Sequence, residues 1–280
     1  MSEYVMLAIL LGALLHATWN AFVRSSADTF WDTAIVMGGA GILAGCWLPF
    51  VALPNVASWP YLIASVLIHL GYFTFVALAY RHGELSFAYP IMRGTAPAFS
   101  AVAAAFLLNE SPPTLGWIGV LLISFGVLVL SLDSWRLGSL QISSLLFALS
   151  NAGVVVMYTI VDGQGARLSG NSLSYTGWLF FLTAVIVVLA ALVLRRGMER
   201  TFSRSNLITG MVGGICIIGS YGIAIWAMTR APIALVAALR ETSVVFAMLI
   251  AVYFLGEHIS RLRLLSALMV AAGAVVIKIL

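Results

Sequence analysis

Two arginines lie deep inside apolar runs, and the residues around them recur in the same order. Arg93 is followed by Thr95, Phe99, Glu110 and Gly126, and Arg240 by Thr242, Phe246, Glu257 and Gly273. The offset is constant at 147, and Ala104/Ala251, Leu115/Leu262 and Leu121/Leu268 keep it too. Random apolar sequence supplies matching Leu and Ala, but not Arg, Thr, Phe, Glu and Gly in one register, so this is an internal repeat. An arginine inside a membrane span costs at least ~2.5 kcal/mol on insertion scales and therefore faces a cavity or a partner. The guanidinium fork suits a carboxylate, phosphate or phosphonate. Arg93 and Arg240 are therefore candidate substrate contacts, the alternative being a structural ion pair. Glu241 is the single deep acid in this reading, which leaves a positive surplus. It is next to Arg240 in sequence and points about 100° away around a helix. It is either a counter-ion for Arg93 or a carrier of protons, with burial and a nearby arginine pulling its affinity for the proton in opposite directions.

Other polar and aromatic residues fall at helical spacing. The first run offers His16, Trp19 and Asn20, and the third offers His69, Tyr72, Phe73 and Tyr80. The fourth adds Tyr89 and Ser100 around Arg93, with Pro90 and Pro97 available to open its backbone. Asn151 and Tyr158 lie on the sixth run and Tyr221 on the eighth. Polar stripes of this kind face a bundle interior rather than lipid. Each alone also serves as glue between helices, and it is their convergence from both halves that argues for a shared aqueous cavity. Trp19, Asn20, Tyr72, Tyr89, Asn151, Tyr158 and Tyr221 join the arginines as substrate-binding candidates. His16, His69 and Glu241 are the coupling candidates. Glu110 and Glu257, at the ends of their runs, are read as structural.

The elements that position these residues follow from composition. The chain has 280 residues, 62% hydrophobic and 9% charged, against about 25% charged in soluble domains. Its mean hydropathy is +1.08. Ten runs near the ~20 residues needed to cross a bilayer cover 4–23, 32–53, 59–80, 86–109, 114–132, 140–160, 173–194, 207–229, 232–255 and 260–279. Long apolar runs without strand alternation satisfy their backbone as helices. The first run carries no basic leader or small-residue cleavage site and is read as a retained helix. The expected fold is an all-α polytopic membrane protein. The third and eighth runs match through Tyr72/Tyr221 and Arg81/Arg230, so the repeat unit is five helices, 1–135 and 136–280. Five is odd, so the second unit is inverted, a plan used by secondary transporters. Both arginines then flank the midplane, each roughly 10 Å into its run at 1.5 Å per residue.

Loop charge sets the expected orientation. Arg24, Arg81, Arg136, Arg195, Arg196, Arg200, Arg204, Arg261 and Arg263 share one side, and Arg167, Arg230 and Lys278 the other. The positive-inside rule then places both termini outside the cytoplasm. Small residues such as Gly41 with Gly45 and Gly210 with Gly214 suit close helix packing. Trp31, Trp59 and Trp135 read as interfacial anchors. Cys46 and Cys216 sit in apolar runs as small hydrophobes. No HExxH, phosphate loop or Gly-x-Ser-x-Gly motif occurs, so neither enzyme, metal nor cofactor is expected. Single basic residues in short loops give no nucleic-acid surface.

Leu107-Leu108-Asn109-Glu110 and Phe254-Leu255-Gly256-Glu257 close the fourth and ninth runs, and the first contains Leu15-His16-Ala17-Thr18-Trp19-Asn20. With the duplicated five-helix unit, the chain resembles the EamA-type ten-helix members of the drug/metabolite transporter superfamily over essentially its whole length. Asn109, where the second copy has Gly256, is a small departure. The resemblance implies a cavity lined by helices one, three, four, six, eight and nine, with five and ten packed behind, and alternating access by rocking of the halves. It implies substrates such as amino acids, sugar phosphates or nucleotide sugars. The small multidrug relatives use an acid in the first helix, and here the first helix has no deep acid. The expectation is an inner-membrane secondary transporter, an exporter, for a small anionic or zwitterionic, amino-acid-like metabolite. Its partners are that substrate, the lipid bilayer and protons as coupling ion, and it acts as a monomer or homodimer. Alternatives are a lipophilic-cation exporter using Glu241, a membrane-embedded enzyme, or a non-transporting membrane subunit.

Overall fold

A computed structural model describes the backbone of residues 1–24, 29–82, 85–135, 142–194, 204–255 and 260–280, and their side chains except at 21–30, 73–89, 133–144, 194–205 and 254–259. The described residues form helices and no strands. The helices are α1 (Glu3–Arg24), α2 (Thr29–Trp47), α3 (Trp59–His82), α4 (Leu85–Leu107), α5 (Thr114–Trp135) and α6 (Ile142–Leu168). The second half adds α7 (Ser172–Leu194), α8 (Arg204–Met228), α9 (Ile233–Arg240), α10 (Ser243–Leu255) and α11 (Arg261–Ile279).

Seven described segments, including Leu145–Leu168 and Ile233–Tyr253, are long and apolar enough to cross a bilayer. With 22, 24 and 23 residues, α1, α3 and α4 have the length as well. The chain is a multi-pass membrane protein of ten segments, because α9 and α10 together make the ninth. Large apolar side chains such as Leu7, Leu11, Phe106, Leu189 and Tyr253 are exposed on the outside, the surface that lipid covers.

Helix contacts carry the inverted repeat. α3 packs on α6 as α8 packs on α1, and α4 packs on α6 as α10 packs on α1. The pairs α2/α7 and α5/α11 join equivalent helices of the two halves. At α5/α11 the backbones come close. A Cβ on Gly273 would lie 2.8 Å from the carbonyl oxygen of Gly119, so glycine is required there. Gly41 fits against Ala184, and Gly210 against Ile35 and Gly39. These are small residues doing the packing that a bilayer demands without a hydrophobic driving force between helices. Trp59 meets Trp178 at 5.5 Å between ring centroids, while the Trp135 side chain lies outside the described residues.

Two boundaries differ from the expectation. The sixth run was expected to end at 160, where the polar Asp162-Gly163-Gln164-Gly165 begins. The helix continues to Leu168 and ends at Gly170, which takes φ +70°, a conformation open to glycine without a Cβ penalty. Asn171 Oδ1 then accepts from Leu173 N at 3.0 Å and Ser174 N at 3.3 Å, starting α7, as an N-cap does. The ninth run was expected as one helix over 232–255 but is interrupted at Glu241–Thr242. The backbone tightens there: Glu241 N donates to Ala238 O at 2.9 Å and Val244 N to Glu241 O at 3.0 Å. These are three-residue closures of the 3₁₀ kind. α4 contains Pro90 and Pro97 yet remains one helix.

Candidate functional site

Arg93 of α4 and Arg240, the last residue of α9, reach the same interior pocket. Ala96, Pro97, Ser100, Val155, Tyr158, Thr159, Ala237 and Glu241 complete its lining. The pocket encloses about 10 Å³, room for about one water molecule. Arg93 and Glu241 are both buried, and Arg93 Nε lies 3.0 Å from Glu241 Oε2. Glu241 therefore neutralises the arginine of the other repeat. Arg240 has a different surrounding. Its Cζ sits 4.8 Å above the Tyr221 ring, a cation–π contact, and among the described residues it forms no ion pair. As the final residue of α9 it is also stabilised by the negative end of that short helix.

The aromatic candidates form a wall behind the pocket. His69 stacks on Tyr158 at 4.7 Å between centroids. Tyr72 meets Tyr158 edge-on at 6.0 Å, and Tyr221 does the same. Arg93, Arg240, Glu241, Tyr158, Tyr221, His69 and Tyr72 are thus brought together from α3, α4, α6, α8 and α9. Other candidates stand apart. Within α1, Trp19 Nε1 donates to His16 Nδ1 at 3.3 Å and Asn20 Nδ2 to the His16 carbonyl at 2.8 Å. His16 lies close enough to both arginines to feel their charge. Asn151 is buried against α4, its Nδ2 3.0 Å from Met92 Sδ, and is not part of the pocket lining. The side chains of Tyr89, Phe73, Tyr80 and Glu257 lie outside the described residues.

Two constellations were not expected. One is Asp162, fully buried in α6, which accepts from Tyr175 Oη at 3.0 Å and from Tyr221 Oη. It corrects the charge count: among the described residues the interior holds two deep acids, not one. The missing signal was available, since Asp162 lies four residues beyond Tyr158 and extends the same helical stripe by one turn. The second constellation joins the halves on the face where α1 begins and α11 ends. Glu110 Oε2 accepts from Arg167 Nη1, and its Oε1 accepts from Ile233 N at the start of α9. Arg167 also donates to Met228 O at 2.8 Å and to Ala231 O at 3.2 Å. Asn55 N donates to Ser169 O at 3.0 Å, and Ser174 Oγ to Ala52 O at 2.7 Å. These bonds tie the halves together on that face, beside an open pocket of about 380 Å³ lined by Arg167, Asn171, Trp226 and Arg230. Glu110 reaches them because Asn109 takes φ 52°, a left-handed conformation that Asn and Gly tolerate best. That explains why Asn109 can stand where the second copy has Gly256.

Comparison with known proteins agrees with this architecture. The model of the EamA-like transporter family matches residues 4–132 and again 142–279. A solved structure titled "Crystal structure of protein" superposes with a TM-score of 0.79 over 100% of this chain and 98% of its own, at 19% identity. At that identity the likeness concerns the fold. Comparison with curated proteins gives no match. With ten membrane segments in two inverted units, both matched by one family model, the chain belongs to the EamA-like transporter family.

Proposed function

We propose that the chain is a secondary active transporter of a small anionic or zwitterionic metabolite, an amino acid or amino-acid-like compound, and that it works as an exporter by alternating access. One observation carries the reading: the two register-equivalent arginines converge on one buried pocket. Arg240 keeps its charge without an ion-pair partner among the described residues, so an anionic group has a place to bind. The pocket is too small for a metabolite in this conformation, and the Glu110–Arg167 ion pair joins the halves on one face, which is read as the sealed one. Both features suit an occluded stage of a rocking cycle between the halves 1–135 and 136–280. On substrate entry the acid group binds Arg240 and competes with Glu241 for Arg93. Tyr72, Tyr158 and Tyr221 pack on the rest of the molecule. Trp19, Asn20 and Asn151, which do not line the pocket in this conformation, join it with Tyr89 as the cavity opens, and His16, His69 and Glu241 are candidates for coupling to protons. By loop charge, the sealed face lies outside the cytoplasm of an inner membrane.

The test is counterflow of radiolabelled L-amino acids in proteoliposomes. Arg93→Ala and Arg240→Ala, at unchanged protein level, each lower uptake about tenfold or more. That is the size expected on losing a charge-assisted hydrogen bond of roughly 1.5–3 kcal/mol. Wild-type uptake in both variants would remove the basis for the anion reading.

A further inference from the structure

The arginine pocket leaves one buried charge-bearing group unused. Asp162 is fully buried, and its two oxygens are held by the hydroxyls of Tyr175 and Tyr221, which are neutral donors. The ion pairs among the described residues, Arg93–Glu241 and Arg167–Glu110, do not include it. A carboxylate out of water and in no ion pair is costly, and hydroxyl donors, with the His69 ring nearby across Ser65, offset only part of that cost. Binding a proton removes the charge and with it the cost. Glu241 is in the opposite position, since Arg93 already compensates it at 3.0 Å.

Asp162 is nevertheless connected to the pocket by two routes. The first runs through Tyr221, whose hydroxyl holds the Asp162 carboxyl while its ring carries Arg240. The second runs through α3. Ser65, within reach of Asp162, has its Oγ 3.2 Å from His69 Nδ1, and the His69 ring stacks on the pocket residue Tyr158. The elements packed around α6 thus present His69 from α3, Arg93 from α4, Tyr175 from α7, Tyr221 from α8, and Arg240 with Glu241 from the α9 end. An anion that draws Arg240 off the Tyr221 ring alters the group that holds Asp162.

We propose that Asp162 is the proton-binding site of the transport cycle, distinct from the arginine pocket and linked to it through Tyr221. The carboxylate takes up one proton while open to one face and releases it to the other, and no other bond is made or broken. The inference rests on the transport reading above, and its test separates the two. The first arm is infra-red difference spectroscopy of the purified chain in lipid, over a pH series from mildly acidic to mildly alkaline. A protonated carboxyl has its own carbonyl band. A titrating band is expected in the wild type, absent in Asp162→Asn and moved in Asp162→Glu. No titrating band, or one that Asp162→Asn leaves unchanged, overturns the proposal. If Asp162→Asn does not fold, Tyr175→Phe takes its place: loss of one donor moves the titration midpoint, and an unmoved midpoint overturns the proposal.

The second arm uses radiolabelled L-phenylalanine in proteoliposomes. Asp162→Asn keeps counterflow within about twofold of the wild type and loses accumulation driven by an imposed pH gradient. Accumulation that survives in Asp162→Asn, or that follows a sodium gradient and ignores pH, overturns the proposal. A wild type that moves no phenylalanine counts against the substrate reading alone, and the infra-red arm then decides Asp162 by itself.

Discussion

Arg93-Gly94-Thr95 in α4 and Arg240-Glu241-Thr242 at the α9–α10 junction occupy equivalent positions and differ at the middle residue. In α4 a Cβ on Gly94 would lie 2.8 Å from Leu128 Cγ and 3.0 Å from Leu128 N, so the helix sits against α5 at this point. Thr95 Oγ1 donates to Ile91 O at 2.7 Å, four residues back, and the helix continues. In the second copy the middle residue is Glu241. Thr242 Oγ1 donates to Leu239 O at 2.7 Å, three residues back, and the helix breaks. The carboxylate at the break crosses to the arginine of the first copy. The duplication therefore supplies two cations, and one divergent residue spends itself on one of them. Arg93 becomes a held charge, and Arg240, in no ion pair among the described residues, rests on Tyr221 and the end of α9. A symmetric pair would have served two equal contacts. In the proposed cycle this asymmetric pair sets one arginine to receive an anion and the other to change partners.

The largest effect on this comparison comes from removing the held charge. Arg93→Ala leaves Glu241 buried without its ion-pair partner, a loss of about 3–5 kcal/mol, seen as a fall in melting temperature in detergent. Arg93→Ala with Glu241→Ala recovers most of it, because the uncompensated charge is gone. A double variant no more stable than the single one would show that the pair is not what links the copies. Next in size is Gly94→Ala, which forces a Cβ against Leu128 and costs about 1–3 kcal/mol by overpacking. Arg240→Ala is expected to cost less, about 0.5–2 kcal/mol for the cation–π contact over Tyr221, while affecting transport as severely as Arg93→Ala. That split between stability and uptake sharpens the contrast between a held and an available arginine. The smallest effects belong to the threonines. Thr95→Val and Thr242→Val each lose one hydrogen bond worth about 0.5–1.5 kcal/mol, read from the same melting curves.

Much of this arrangement was legible in the sequence. Apolar run length gave ten segments, and the 147-residue offset gave the repeat and placed Arg93 and Arg240 at matching depth. What run length could not give was the interruption in the ninth segment, since 232–255 is apolar on both sides of it and has no Gly or Pro at the break. The prolines pointed instead to α4, which stays one helix over Leu85–Leu107 and packs against α5 and α6. Asp162 was lost because an apolar window stops at polar residues, whereas a helix inside a bundle continues wherever partners exist, here Tyr175 and Tyr221. The Glu110–Arg167 pair spans 57 residues, and no local spacing encodes such a contact. Loop charge held a trace of it, because Arg167 is one of the few basic residues on the poorly charged side.

In the proposed cycle Arg240 is available to an anion while Glu241 holds Arg93. The most direct measurement is the melting temperature of the purified protein with amino acids, sugar phosphates, phosphonates or lipophilic cations, in the wild type, Arg240→Ala and Glu241→Gln. A ligand at 100 times its Kd adds about 2.7 kcal/mol, enough to read. Anions or zwitterions are expected to stabilise the wild type and not Arg240→Ala. Stabilisation by cations alone, lost in Glu241→Gln and kept in Arg240→Ala, would contradict it and make Glu241 the binding residue.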